Sequence, residues 1–167
     1  LIHYIEEGLG FLSLHQQFVD IGNSEIDSIL NYKLQEMKNK NVHLKYSITI
    51  PKDLKINVFD LNIILGNLLN NAIEAIEKAE RKYFFINIYF EKNILFIHIE
   101  NTYDGNIIKE KETLMTTKEE KQLHGLGLKS VSSILEKYDG DIIYDYNDIY
   151  FITDVMLCNT SFHHETE

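Results

Sequence analysis

An α+β sandwich, with helices on one face of a mixed sheet, is the fold class this sequence predicts, and three observations predict it. Helical and strand-like hydrophobic spacings alternate along the chain in the order α, β, α, β, β, loop, α, β, β. No internal repeat or low-complexity tract interrupts that order. The 167 residues suffice for one domain with a substantial core and a short attached segment.

Residues 1–20, LIHYIEEGLGFLSLHQQFVD, carry helical spacing with an interior glycine and no partner of their own, and read as the tail of a helix or a linker. A helix over roughly 24–39 follows, with Asn23 or Ser24 as its N-cap and Ile26, Ile29, Leu30, Leu34 and Met37 on one face. Residues 42–50 alternate apolar with polar and predict a half-buried strand, ended by Pro51, the only proline. Asp60 is expected to cap a long helix running to about Ala79. The β-rich runs 83–91 and 94–101, joined through Glu91, Lys92 and Asn93, predict an antiparallel hairpin. Periodicity disappears from Thr102 to His124, a connection long enough to be functional or disordered. Helical spacing returns over 125–138 through Leu126, Leu128, Val131, Ile134 and Leu135, and strands near 141–147 and 149–157 close the chain.

Composition narrows the function. Apolar residues make up 44% of the chain, yet no run approaches the ~18 that a membrane span needs. Residues 1–20 have neither a basic start nor a small-residue cleavage site, so no signal peptide is expected there. The lone Cys158 cannot close an internal disulfide, which fits a reducing cytosol. A formal charge of -10 argues against nucleic acid, because binding a phosphate backbone requires a basic surface that releases counterions. A bound anion would have to be held locally, by main-chain amides, a metal ion or a few side chains.

Two stretches supply such groups. In GNLLNNAIEAIEKA, residues 66–79, Asn67, Asn70 and Asn71 sit inside a helix, where asparagine is disfavoured relative to alanine by up to ~0.7 kcal/mol. Leu61, Ile64, Leu65, Leu68, Leu69, Ala72, Ile73, Ile76 and Ala79 form the apolar face. Asn67, Asn71, Glu74 and Lys78 line the opposite side, with Asn71 at its border. Alone, this row would read as a solvated helix face. The second stretch, HGLGLKSV at 124–131, puts Gly125 and Gly127 where the long loop becomes a helix. Glycine permits close backbone approach, and a helix N-terminus offers free N–H groups and partial positive charge to phosphate.

Together these motifs resemble the GHKL nucleotide-binding superfamily, which includes sensor histidine kinases and gyrase-type topoisomerases. NLLNNAIEA is similar to its N box, HGLGL to its G2 box, LMTTK (114–118) to the Thr-Lys segment of its ATP lid, and IENTYDG (99–105) stands at its G1 box. The resemblance covers roughly residues 22–157, and the wording around the boxes is most similar to Agr-type peptide-pheromone sensor kinases. It implies the Bergerat fold: a two-layer α/β sandwich, a mixed and mostly antiparallel sheet, three helices on one face and a flexible ATP lid.

The resemblance also implies roles. Asn71 matches the asparagine that coordinates Mg²⁺ on the phosphates of ATP, a hard cation that needs few protein oxygens when phosphates and water supply the rest. Asn67 faces the same phosphates at a position where hydrolysing relatives carry a glutamate base; an amide cannot activate water, which favours transfer to an imidazole. Asn71 and Asn67 are thus the catalytic candidates. Nucleotide contacts are further expected from Asn101, Gly105, Thr117, Lys118, His124, Gly125, Leu126, Gly127 and Leu128. Departures from the family pattern are Asn101 for the adenine-reading aspartate, Tyr103 for the first G1 glycine and Leu123 for the first G2 glycine. An asparagine carbonyl still accepts from the adenine amino group, without charge assistance.

The seven histidines show no metal-site spacing, and His98 is expected to face outward from its strand. The only His-acidic pair, His164-Glu165, lies at the far terminus, so an acceptor histidine is expected on a separate dimerisation domain. The expected division is a linker or dimerisation-helix remnant over 1–21, an ATP-binding domain over 22–158 and a tail over 159–167. The expected partners are ATP, the histidine-phosphotransfer domain of the same full-length protein and a response regulator, but not nucleic acid. The full-length protein is expected to be a membrane-anchored homodimer with this portion in the cytoplasm. The competing expectation is a degenerate, non-catalytic signalling module with weak or no nucleotide binding.

Overall fold

A computed structural model describes residues 17–105 and 125–160, with the backbone alone over 125–129. Its elements are α1 (Ser24–Asn39), β1 (His43–Ile48), α2 (Val58–Lys78), β2 (Tyr83–Glu91), β3 (Ile94–Thr102), α3 (Gly125–Lys137), β4 (Asp141–Tyr146) and β5 (Tyr150–Cys158). They follow the predicted order. The strands form one sheet in the order β1-β2-β3-β5-β4, with β1 and β2 parallel and every other pair antiparallel. This mixed, mostly antiparallel sheet with helices α1, α2 and α3 is the expected two-layer sandwich.

Burial explains the layering. Along β3 and β5 buried and half-buried residues alternate, so Leu95, Ile97 and Ile99 of β3 and Val155 and Leu157 of β5 face the helices. α2 lies centrally and buries Leu61, Ile64, Leu65, Leu68, Leu69, Ala72, Ile73 and Ile76 among α1, α3 and the sheet. The hairpin between β2 and β3 turns on only Lys92 and Asn93, both at positive φ (49° and 65°), which matches the twist of the strands. Glu91 belongs to the strand, opposite Ile94.

Two readings of the sequence need correction here. Asp60 does not cap α2. Asn57 does, accepting from Phe59 N at 2.8 Å. Asp60 sits in the first turn, with its carboxylate committed to residues of the α3 end. The β1 strand is also shorter than expected, 43–48 in place of 42–50, although Val42 is buried and Thr49 N still donates to Ile88 O.

The chain entering α1 is fastened by two side chains. Asn23 caps the helix, and Asp27 accepts from the N–H groups of Ile21 (2.9 Å) and Gly22 (3.2 Å). Asn31 Oδ1 accepts from Phe18 N (2.7 Å) and Val19 N (3.0 Å), while its Nδ2 donates to Val19 O (2.8 Å). These bonds satisfy backbone groups that no sheet supplies, and they let Val19 enter the core. Of residues 1–20, read as the tail of a helix or a linker, residues 1–16 lie outside the described residues, and 17–20 are neither helix nor strand.

At the other end of the chain, Gly140 joins α3 to β4 in a space that admits no side chain. A Cβ there would stand 2.6 Å from Met156 O and 3.0 Å from Leu157 Cδ2. Gly140→Ala should therefore lower unfolding stability by ~1–3 kcal/mol, the usual cost of overpacking, with the loss read from urea denaturation midpoints at unchanged m-value.

Candidate functional site

The chain path sets the end of β3, which carries Asn101, beside the turn that leaves α2. β3 ends beside the start of β2, with Asn101 opposite Phe84. Thr102 Oγ1 donates to Arg81 O (2.6 Å) and accepts from Tyr83 N (3.1 Å), which ties the end of β3 to the turn leaving α2. The C-terminal half of α2, which carries Asn70 and Asn71, therefore leads toward the end of β3 that holds Asn101, and Asn67 stands one residue before the midpoint of the helix.

α3 is tied to the other end of α2. Its last turn is bound to the first turn of α2: Lys137 Nζ lies 2.6 Å from Asp60 Oδ2, and Tyr138 OH donates to the same oxygen at 2.7 Å. Tyr138 OH also accepts from Asn57 N at 2.9 Å, so a hydroxyl on a side chain only 2% exposed has both its donor and its acceptor roles filled. α3 packs along α2 from this point. Twelve rises of 1.5 Å separate the first and last residues of α3 by ~18 Å, and eleven rises separate Asp60 from Asn71 in α2 by ~16 Å.

The described site residues differ in state. Asn67 is half-buried and returns its Nδ2 to Ile63 O (2.7 Å), leaving its Oδ1 uncommitted among the described residues. Asn71 is exposed, as is Asn70. At the edge of the apolar stripe it is Asn67, not Asn71, that is partly covered. Asn101 is only 2% exposed, on the helix-facing side of β3 in line with Leu95, Ile97 and Ile99. Its Nδ2 donates to Thr102 O at 3.0 Å, an arrangement that reserves Oδ1 as an acceptor.

The substitution at Tyr103 has a structural account. The ring is buried against Phe151, with centroids 6.2 Å apart, and the hydroxyl donates to Asn147 O in the β4–β5 turn. Burial pushes its pKa up, with added repulsion from Asp148, so it stays a neutral donor. Gly105 holds a positive φ of 76°, where a side chain would be strained. Gly125, Leu126, Gly127 and Leu128 form the first turn of α3. Thr117, Lys118 and His124, and the lid that carries them, lie outside the described residues.

Sequence reasoning missed the Asp60–Lys137–Tyr138 cluster. Asp60 was legible as a helix-start residue, but its partners lie 77 and 78 positions away. His98 is half-buried and bonds Asp154 across the strands at 2.7 Å on the outer face of the sheet, away from these residues.

With this geometry, comparisons with known proteins place the chain. The profile of the GHKL domain family matches residues 56–158, more than half of the sequence, and the chain belongs to that family. No curated protein matches it. Among solved structures it is similar to the nucleotide-free catalytic domain of histidine kinase ThkA, at a TM-score of 0.64 and 17% identity over 85% of this chain and 95% of that one. It is also similar to the Acinetobacter baumannii histidine kinase AdeS, at 0.58 and 15% identity over 94% of this chain and 77% of that one. The chain thus has the fold of histidine kinase catalytic domains.

The cluster at Asp60 carries a pH signature. Burial raises the Asp60 pKa, but the bonds from Lys137 and Tyr138 outweigh it and hold the carboxyl below its ordinary 3.8. A carboxyl whose folded pKa is depressed adds stability that is complete above the unfolded value and is lost as pH falls through the folded one. Asp60→Asn should be less stable than wild type at neutral pH, with the gap closing as the pH is lowered below 3.8. Denaturation series across that range would show it; a gap independent of pH would mean that the carboxylate charge contributes nothing.

Proposed function

We propose that this chain is the ATP-binding kinase module of a two-component sensor histidine kinase. What supports the reading is membership of the GHKL domain family, together with the buried Asn101 at the end of β3, which is tied to the turn leaving α2, and with α3 tied by its last turn to α2. In this reading Asn101 Oδ1 accepts from the adenine amino group, and Gly105 allows the backbone to turn close to the base. The N–H groups of the α3 first turn, Gly125 to Leu128, receive the phosphates with the favourable end of the helix dipole. Thr117, Lys118 and His124 of the lid complete the nucleotide contacts.

The donor set suits Mg²⁺ held through the nucleotide. Asn71 presents one exposed amide to the site, and among the described residues no cluster of three His, Cys, Asp or Glu side chains forms a cage. Magnesium bound mainly by phosphates and water, with one protein oxygen, matches that scarcity. The ion, when bound, would offset negative charge on the phosphates. Asn67 orients the phosphate end and lacks the basicity to activate water, which favours an imidazole as acceptor.

The acceptor histidine is assigned to a separate dimerisation domain of the same full-length protein, with relay to a response regulator. By the wording of its motifs the protein is of the Agr-type peptide-pheromone class, a membrane-anchored homodimer with this portion in the cytoplasm. Residues 1–21 are assigned as linker or remnant of the dimerisation helix, 22–158 as the catalytic domain and 159–167 as a tail. One observation favours a second reading, a signalling module that has lost nucleotide binding: the G1 segment has neither the aspartate nor its first glycine, and Tyr103 fills that place with a buried ring.

Calorimetric titration with Mg-ATP separates the two. Saturable binding that weakens ~10-fold or more in Asn71→Ala, the equivalent of losing one charge-assisted contact of ~1.5 kcal/mol, supports the kinase reading. No heat from wild type at millimolar nucleotide favours the second. With γ-labelled ATP the isolated chain should acquire no label on its own histidines; label on His15 would place the acceptor inside this segment.

A further inference from the structure

We propose that Tyr138, with Lys137 and Asp60, is the positioning device that aims the first turn of α3 at the phosphates, an inference that rests on the nucleotide reading above. Tyr138 OH bridges two groups of α2, the N–H of its capping residue Asn57 at 2.9 Å and the Asp60 carboxylate at 2.7 Å. Lys137 adds its ammonium to the same carboxylate oxygen at 2.6 Å. The last turn of α3 is thereby fixed to the first turn of α2 in direction as well as distance. Burial keeps the Tyr138 proton in place, pushing the hydroxyl pKa upward, so its donation to Asp60 persists at neutral pH.

The mechanical consequence follows from helix length. α3 behaves as a rod of ~18 Å with this cluster at one end and its first-turn N–H groups at the other. A tilt of ~3° about the cluster moves the first turn by ~1 Å, enough to spoil hydrogen bonds that require ~2.7–3.2 Å. Apolar packing through Val131, Ile134 and Leu135 holds α3 onto the core but leaves rotation and sliding less constrained than three directional bonds do. Asn101 hangs from β3 and Asn71 from α2, so neither depends on α3 for its position. A disturbed cluster should therefore impair the phosphate contacts and spare the base contact.

That asymmetry gives the test. Tyr138→Phe, Lys137→Met and Lys137→Arg are prepared in the 167-residue chain, and Mg-ATP and adenosine are titrated separately by calorimetry or NMR. Tyr138→Phe and Lys137→Met should weaken Mg-ATP binding by about 5-fold or more, a change of ~1 kcal/mol, with adenosine affinity within about 2-fold of wild type. Lys137→Arg, which keeps the ion pair, should restore Mg-ATP binding. Equal weakening of both ligands, or of neither, overturns the proposal and leaves the cluster a stability element. Should Tyr138→Phe fail to fold, Lys137→Met and Lys137→Arg carry the same comparison. Asn71→Ala serves as the separate control: if it leaves Mg-ATP affinity untouched, the nucleotide reading fails, whereas its expected weakening alongside an unaltered Tyr138→Phe sinks only the positioning role.

Discussion

Burial of one face of α2 constrains everything around it. Eight of its side chains, from Leu61 to Ile76, are buried together, and each of the leucines and isoleucines among them contributes on the order of 1.5–3 kcal/mol by removal from water. α1 reaches the same helix where Ile29 Cδ1 comes within 3.4 Å of the Cβ position at Gly66, a contact that the missing side chain permits. α3 flanks it and the sheet lies beneath. With its apolar face so occupied, the helix has little rotational freedom. The opposite face, with Asn67, Asn70 and Asn71, is therefore held in a defined direction by packing on the other side of the helix.

Polar ties then fix what apolar packing leaves loose. The Asn31 and Asp27 side chains fasten the entering segment to α1 by its backbone. Thr102 fastens the end of β3 to the turn after α2, and Asn159 Oδ1 accepts from Lys55 N at 2.6 Å, joining the end of β5 to the approach of α2. The Asp60–Lys137–Tyr138 cluster does the same for α3. Each tie involves a buried or half-buried donor or acceptor that would be costly if left alone, so each also selects one relative placement of two elements. Lys40, bonded to both Glu36 and Glu77, links the C-terminal ends of α1 and α2 on the surface, where such bonds contribute little.

The face turned away from the helices has a different character. Tyr89 stacks on Phe96 at 4.9 Å, Phe85 meets His98 edge-on at 5.7 Å, and His98 bonds Asp154. Cross-strand pairs of this sort stabilise a half-exposed sheet surface and hold its register. Asn101, by contrast, lies on the helix-covered side of the same sheet.

Hydrophobic period and turn chemistry are local properties, and the sequence by itself determined what depends on them: eight elements in order, the hairpin through Lys92 and Asn93, the apolar faces of α1 and α2, and the amides of α2 opposite its core. The family and its fold were legible because the motif boxes are short contiguous stretches. Tertiary structure alone decided how those stretches meet. Asn57 caps α2, and Asp60, inside its first turn, gives its carboxylate to Lys137 and Tyr138, distant in the chain. Only the folded chain shows that Tyr103 fits because its ring finds Phe151 and its hydroxyl finds Asn147 O. Such partners lie tens of residues apart, and spacing along a sequence carries no information about side chains brought together only when helices and strands pack.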